Sequence, residues 1–568
     1  MAEALPRNAD LADRLELLAD LSELEGENSF RVLAYRRAAT RIRETAVPVA
    51  QLALEGKAKA LQGIGQTIED KIVELVETGT MKALEKRLAL VPVEVVQFMK
   101  LPGLGPKTAR RIWQELGVTT VAELKAAAEG ERLRALACLG AKSEEKILKA
   151  LAAAPAKGSD GRRLLGDGLP TVLDVVETLR GHAAAVKVSE AGSVRRRKET
   201  FRDLDVIATS ADAPALIDSF TSFDWVADTV AKGDTKATVI SNVGLRFDLR
   251  VVPPESYGNL LQHFTGSKDH NVAMREEAVR RGLSISEYGV ETVETGEVAR
   301  HETEEELYAY LGYEWIPPEL RENAGELDAA RNGELPNLVE RGDLRGDLHS
   351  HSTWSDGRDS IEEMALAAIA LGHEYLAMCD HSQRLREGRL ERQWEEIEAL
   401  NERLAPFRIL KGVEVNIRAN GELDLIDELL APLDWVMASV HSSFDNDPTG
   451  RALAAMDNPH VDCIGHPTSR RISTRPPSDL SVERVVEAAL ATGTFLEINS
   501  QPDRLDLRDV HARLAGEAGL KLVVSSDGHQ VRALEYVDIG LAQARRAWLT
   551  REQVLNTRPW AEIEKLRK

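Results

Sequence analysis

Cysteine is nearly absent: three in 568 residues, Cys138, Cys379 and Cys463, far apart and without paired spacing. That scarcity excludes a disulfide framework and fits a reducing compartment, with each thiol read as a small buried apolar residue. Long apolar runs are missing too. No uncharged stretch approaches the roughly 18 residues of a membrane span, and Glu3, Arg7 and Asp10 interrupt the opening where a signal peptide needs an apolar core. The expectation is a cytoplasmic protein without membrane contact. A basic surplus is also lacking, since 93 Asp and Glu outnumber 72 Lys and Arg for a formal net charge of -21. This excludes wholesale attraction to nucleic acid but leaves room for local basic patches.

What is present is ordinary globular composition, 43% hydrophobic and 29% charged, in a chain long enough for several modules at roughly 150 residues each. Over residues 11–151 apolar residues recur at three and four spacing, as in Leu11, Leu15, Leu18 and Leu21, which predicts helices and no strands. Pro155, Gly158, Ser159, Asp160, Gly161, Gly166 and Gly168 then read as a linker. A mixed region follows to about Trp315. Pro317, Pro318, Asn323, Gly325, Asn332, Gly333 and Pro336 mark a second, longer connector. Beyond Arg345 short apolar strands alternate with helices, the pattern of a parallel α/β unit.

The helical region repeats a glycine turn: Gly63-Ile64-Gly65, Gly103-Leu104-Gly105, and a degraded copy at Leu139-Gly140-Ala141-Lys142, where Cys138 replaces the first glycine. Such a turn opens the backbone N–H groups of a helix N-terminus to a phosphate, and Lys107, Arg110 and Arg111 add charge around the second copy. It resembles the helix-hairpin-helix motif of sequence-independent DNA binders. Pro106 before Lys107 rules out a nucleotide P-loop.

Two sets of metal-ligand residues follow. Asp203 and Asp205 flank Leu204 at a strand start, and Asp248 lies on a strand where Leu245, Phe247, Leu249 and Val251 alternate with Arg246 and Arg250. Three converging carboxylates repel unless cations neutralise them, and an all-oxygen set suits Mg2+. Upstream, Gly192-Ser193-Val194-Arg195-Arg196-Arg197-Lys198 is a glycine turn with cations suited to a triphosphate. The second set is His349 and His351 on a strand, Asp356 in the Ser-Asp-Gly turn that follows, and later strand ends at Asp380-His381, Glu414, His441, His466, Glu497 and Asp527-Gly528-His529. Imidazole with carboxylate suits Mn2+, Fe2+ or Zn2+. Polar residues at the ends of seven strands are how a parallel barrel builds an active site.

The Gly-Ser turn, the Asp-Leu-Asp strand, Arg246-Phe247-Asp248 and His263-Phe264-Thr265-Gly266-Ser267 resemble a family X DNA polymerase of the polymerase beta type. The resemblance implies that Asp203, Asp205 and Asp248 hold two Mg2+ or Mn2+ ions and that Gly192, Ser193 and Arg196 hold the triphosphate. It places His263, Phe264 and Gly266 at the sugar, and Asn271 and Arg275 at the minor-groove edge of the base pair. Arg202 stands where the family usually has glycine, which is expected to alter nucleotide affinity, and His263 where it has tyrosine, which leaves discrimination between deoxyribose and ribose open. The N-terminal segment is similar to the family's lyase domain through Ala34-Tyr35-Arg36-Arg37-Ala38-Ala39. Lys71 aligns with the Schiff-base lysine, with Arg31 and Tyr35 as expected neighbours, while Thr67 and Phe30 depart from the pocket.

The C-terminal region resembles the polymerase and histidinol phosphatase (PHP) domain, a distorted seven-stranded barrel. His349, His351, Asp356, His381, Glu414, His441, His466, Asp527 and His529 match its ligand positions for up to three Mn2+ or Zn2+ ions, and Arg470, Arg471 and Arg504 are candidate phosphate clamps. The expected organisation is multidomain: a helical lyase-like domain (1–85), a fingers-like helix-hairpin-helix domain (86–155), an α+β nucleotidyltransferase palm (165–254), a thumb-like subdomain (255–316), a linker (317–343) and a PHP barrel (344–568). The expected function is gap-filling synthesis in base-excision or end repair, with 3′ to 5′ exonuclease activity and with abasic-site cleavage or 3′-block removal left open. Gapped or nicked double-stranded DNA and deoxynucleoside triphosphates are the expected partners of a monomer, with a ligase or other repair protein left open. Two other readings stand: a nuclease whose polymerase half only binds DNA, and a small-molecule phosphatase, which leaves the glycine turns unexplained.

Overall fold

The computed structural model describes residues 5–45, 47–61, 63–101, 104–136, 139–152, 161–385 and 388–568. Gly103 and Cys138 lie outside them. The chain forms two compact units, Met1–Asp160 and Gly161–Lys568.

The first unit is helical throughout its described residues. Leu11, Leu15, Leu18 and Leu21 form the buried face of the helix Asn8–Glu25, which packs on Ser29–Glu44. Each such leucine stabilises the unit by about 1.5–3 kcal/mol. The first helix ends at Gly26 with φ 82°, where the N–H groups of Gly26 and Glu27 return to the Glu23 and Ser22 carbonyls. A Cβ there would lie 2.1 Å from the Arg110 guanidinium. Arg110 donates to the Leu24 carbonyl, and Arg111 pairs with Glu115 at 2.6 Å, so these two cations serve the helices rather than the second glycine turn.

In the second unit, a five-stranded sheet runs in the spatial order Ala185–Glu190, Leu204–Ser210, Arg246–Val252, Lys236–Ser241, Val226–Lys232. Only the pair Leu204–Ser210 and Arg246–Val252 is parallel. Phe247, Leu249 and Val251 are buried and Arg246 and Arg250 exposed, as the alternation requires. Gly166 and Gly168 belong to the helix Leu165–Arg180, not to a linker. Their lack of a side chain permits close packing: a Cβ would lie 2.6 Å from Pro502 at the first and 2.3 Å from Phe201 at the second.

Residues 317–343 are likewise packed rather than loose. They contain the helix Glu326–Asn332, and Arg321 and Glu326 are fully buried. Arg321 makes a double ion pair with Glu304 at 2.6 and 3.0 Å, and the His270 ring bridges Glu326 at 2.7 Å and Tyr308 at 2.9 Å. Proline and glycine here shape turns in a folded segment; their density alone mimics a linker.

Seven parallel strands in sequential order, Gly346–Ser350 to Leu522–Ser525, make the C-terminal sheet. A parallel bridge from Ser350 to Gly528 brings its ends together into a nearly closed barrel. The palm core continues into this half, since Leu505 and Ile539 pack with Leu165, Val172 and Phe201.

Candidate active sites

Asp205 and Asp248 are direct register partners at the starts of the two parallel palm strands, and Asp203 immediately precedes the first. Burial, followed by the charges of Asp203 and Asp248, pushes the Asp205 carboxyl up to about 7. Oxygen donors held together at this electrostatic cost fit hard divalent cations, which would remove the repulsion. Thr238 on the neighbouring strand donates its hydroxyl to Asp248, and Arg246 Nε donates to Asp248 Oδ2 at 2.9 Å. Gly192 has φ 64°, and a Cβ there would lie 2.4 Å from Asp205 Oδ2. The glycine is therefore required by both backbone and carboxylate.

The cations after that glycine are engaged. Arg195 pairs with Glu304 at 2.8 Å and donates to Thr265 Oγ1 at 2.6 Å. Arg196, expected at the triphosphate with Ser193, donates from Nε to Glu322 at 3.0 Å and from Nη1 to the Thr265 carbonyl at 2.5 Å. Arg202 is exposed beside Asp203.

The remaining expected nucleotide contacts form one connected surface. Arg275 Nη2 donates to His263 Nδ1 at 2.9 Å, Asn271 Nδ2 donates to the His263 carbonyl at 2.8 Å, and Gln262 donates to Asn271 Oδ1 at 2.8 Å. Burial, then the Arg275 charge, lowers the His263 pKa, consistent with a neutral ring that accepts this bond. Arg250 lies over the Phe264 ring at 4.4 Å. Gly266 adopts φ 70° at the end of the helix Tyr257–Thr265.

In the barrel all nine expected ligands converge, and Glu414 is their hub. Its Oε2 is 2.9 Å from His381 Nδ1, 3.6 Å from His349 Nε2 and 3.7 Å from His351 Nε2; its Oε1 is 3.1 Å from both His441 and His466 Nε2. Asp527 Oδ1 is 3.1 Å from His351 Nε2, and Asp356 is 3.4 Å from His529 and 3.6 Å from His381. Three overlapping groups, each with donor atoms within 4.8 Å of one another, fit metal ions: His351, Asp356, His381 and His529; His349, His351 and Asp527; His381, Glu414 and His441. The mix of imidazole and carboxylate fits Mn2+ or Zn2+ better than Mg2+. His466 and Asp527 have φ of 30° and 51°, backbone strain of the kind concentrated at functional sites.

The carboxylates hold protons on several of these rings against the opposing effect of burial. Glu497 holds the His349 pKa well above its usual range, Glu414 holds His381 up to about 9, and Asp356 raises His529. His351, buried among other imidazoles, falls to about 3.

Around the ligands lies a shell of orienting groups. Glu497 Oε1 is 2.7 Å from His349 Nδ1 and accepts from Ser525 Oγ at 2.6 Å; Asn499 donates to Asp527 at 2.9 Å; Asn416 Oδ1 is 3.2 Å from His441 Nδ1. Asp380 accepts from Ser352, Ser355 and Gln393 and organises the loop that carries Asp356. The two asparagines escaped the sequence reading although each follows a strand carboxylate by two residues, on the same face. Arg470 is not a clamp: it is buried and pairs with Glu199 of the palm at 2.8 Å. Arg471 pairs with Asp503 at 3.2 Å, whereas Arg504 Nε lies 3.8 Å from Asp527.

In the helical unit, Gly65 and Gly105 are exposed N-cap residues of Gln66–Thr78 and Pro106–Leu116, with φ of -89° and -79°. A Cβ on either would meet nothing within 4 Å, so neither packing nor backbone geometry demands glycine there. Gly63 does need it, at φ 89°. Lys107 is exposed. Lys71 is half-buried, and its side chain makes no hydrogen bond or ion pair among the described residues; Arg31 pairs instead with Glu27.

Both strand-end clusters are of the kind used in metal-dependent phosphoryl transfer, one with carboxylates alone and one with mixed donors. Comparison gives the family. The chain is 40% identical over 568 residues to DNA polymerase/3'-5' exonuclease PolX of Bacillus subtilis (strain 168), covering 98% of each chain. It belongs to the bacterial family X DNA polymerases that carry a C-terminal PHP domain. The family described as DNA polymerase beta thumb matches residues 260–322, Helix-hairpin-helix domain 6–81, SAM-like Helix-hairpin-helix tandem 96–153, and PHP domain 347–471. A protein named "Probable phosphatase" from Thermoanaerobacter sp. (strain X514) is 33% identical over 226 residues, 37% of this chain and 89% of that protein.

Proposed function

We propose that this chain fills short gaps in DNA as a template-directed polymerase and trims the same DNA with its barrel as a 3′ to 5′ exonuclease. The observation that carries the reading is the presence of two donor sets in one chain: register-paired Asp205 and Asp248 with Asp203, and in the barrel eight of the nine expected residues in three overlapping groups, with His466 3.1 Å from Glu414. In the palm, Asp203, Asp205 and Asp248 would hold two Mg2+ or Mn2+ ions, which supply charge stabilisation for the attacking and leaving oxygens. Asp248 orients the primer 3′-OH, Ser193 and Arg196 contact the phosphates, and His263, Phe264 and Gly266 bound the sugar. Asn271 and Arg275 read the minor-groove edge of the pair. In the barrel, the nine ligands would hold up to three Mn2+ or Zn2+ ions, which supply Lewis acidity toward a phosphodiester.

Gly63, Gly65, Gly105 and Lys107 support DNA contact, because the bare N-caps leave backbone N–H groups accessible to phosphate. Gap repair in the cytoplasm, on the base-excision or end-joining route, is the role that suits such a pairing of activities. The likeness of the barrel to a phosphatase-named protein favours removal of 3′ phosphate blocks as an added hydrolysis. Lys71 carries no comparable support, since Arg31, the cation expected beside it, pairs with Glu27. A nuclease-only reading leaves the carboxylate triad without a task.

The test crosses the two sites on a labelled one-nucleotide gap with Mg2+ or Mn2+. Asp205→Ala is expected to lose extension and keep degradation, and His441→Ala the reverse. Degradation lost in the first variant while extension survived would refute the assignment.

A further inference from the structure

The Glu322 carboxylate lies where the polymerase residues meet the barrel half. Its Oε1 accepts from Arg196 Nε at 3.0 Å and from Arg546 Nη1 at 3.0 Å, and its Oε2 is 3.7 Å from Lys198 Nζ. Arg196 belongs to the glycine turn of the palm, whereas Arg546 ends the helix Val537–Arg546 of the barrel half. The Arg546 side chain is only 3% exposed. It donates from Nη2 and Nε to Asp509 Oδ2 at 2.6 and 3.0 Å and from Nη1 to the Arg196 backbone carbonyl at 2.8 Å. None of these partners is a barrel ligand.

We propose that Arg546 is a positioning residue for the polymerase site: anchored by Asp509, it shares Glu322 with Arg196 and sets how readily Arg196 turns to an incoming triphosphate. The proposal rests on the reading of Arg196 as a phosphate contact. In the structure Arg196 is committed to Glu322 and the Thr265 carbonyl, so gripping a phosphate means exchanging the carboxylate for phosphate oxygens. Glu322 then keeps Arg546 and Lys198, and the exchange leaves no stranded buried charge. Without Arg546, the departure of Arg196 removes one of the two remaining cations, and the exchange becomes harder. Without the charge of Glu322, that penalty disappears. The barrel half thereby tunes nucleotide affinity in the palm, although its own ligands are untouched.

Steady-state filling of a one-nucleotide gap by the full chain tests this, with the matching deoxynucleoside triphosphate as the varied substrate. Arg546→Met is expected to raise KM for the nucleotide roughly 10–100-fold, the effect of one charge-assisted hydrogen bond, with kcat within about twofold. In Arg546→Met/Glu322→Gln the KM should return to the wild-type value. Metal-dependent hydrolysis of bis(p-nitrophenyl) phosphate, which Arg546→Met should leave unchanged, reports that the barrel is intact. If the methionine variant does not fold, Arg546→Lys carries the test, since its ammonium cannot serve Asp509, Glu322 and the Arg196 carbonyl together. A KM that does not move, or a rise that the double variant does not reverse, overturns the proposal. Wild-type protein that cannot extend the primer at all overturns the polymerase reading instead.

Discussion

Replacing Glu497 by glutamine keeps the shape of the side chain and removes its charge and one acceptor. In the native site Oε1 serves His349 Nδ1 at 2.7 Å and Ser525 Oγ at 2.6 Å, while Oε2 accepts from the His466 N–H at 2.5 Å and Asn499 Nδ2 at 3.2 Å. Whichever way the amide is turned, its NH2 group meets a pair of donors. Turned toward His349, it takes away the acceptor that keeps a proton on Nδ1 and the Nε2 lone pair aimed at the metal position. Turned the other way, it disturbs the backbone of His466, already at φ 30°. A hydrogen bond to a charged group is worth about 1.5–3 kcal/mol, which corresponds to roughly 10–100-fold weaker metal binding. Titration of metal-stripped protein with Mn2+ against a fluorescent chelator, at fixed pH, reads this directly. Gap filling should be unchanged. Affinity within twofold of wild type would refute the reasoning, and so would an equal loss of extension, which would mean general unfolding.

The raised pKa values of His349, His381 and His529 mean that a metal must displace protons from these rings. Metal binding at pH 7 should release protons, and apparent affinity should climb as pH approaches the His381 value of about 9, measurable by calorimetry in two buffers of different ionisation enthalpy. Because these folded-state values lie above the usual 6.5, the protonated rings stabilise the metal-free fold below pH 6.5, and that contribution fades as pH rises toward 9. At the palm, Asp205→Asn should raise the metal-free Tm by clearly more at pH 8 than at pH 4, because the cost of keeping this carboxyl in the fold builds as pH rises from the usual 3.8 to about 7. The same variant should not extend primers. Gly65→Val and Gly105→Val should each lower DNA affinity by about tenfold, in fluorescence anisotropy at fixed salt, while losing a glycine N-cap costs about 1 kcal/mol or less of stability because the added Cβ meets open space.

The alternation around Asp248 and the leucine spacing from Leu11 to Leu21 were legible in the sequence because each is a local periodicity imposed by one buried face. The nine expected barrel residues were legible for a similar reason: each lies at the end of a recognisable apolar strand or in the loop that follows it. What escaped depends on chain segments far apart. Glu322 and Arg546 meet 224 residues apart, and Arg470 reaches Glu199 across 271 residues, so no spacing rule points to either. The misreadings of Gly166, Gly168 and residues 317–343 share another cause. Glycine and proline mark turns and tight contacts as readily as linkers, and only the neighbour reveals which. The central place of Glu414 was hidden because a sequence orders ligands along the chain, not around an ion.

The ties between palm and barrel bear on how this chain could be divided. A cut before Gly346 would leave Arg470 and Arg546 on one fragment and Glu199 and Glu322 on the other, with Leu505 and Ile539 stripped from the palm core. Each fragment would present newly bared apolar surface studded with ions that have lost their counterparts. Neither half of this chain has a finished exterior where the other is attached, so the two are expected to be stable as one piece rather than as separated fragments.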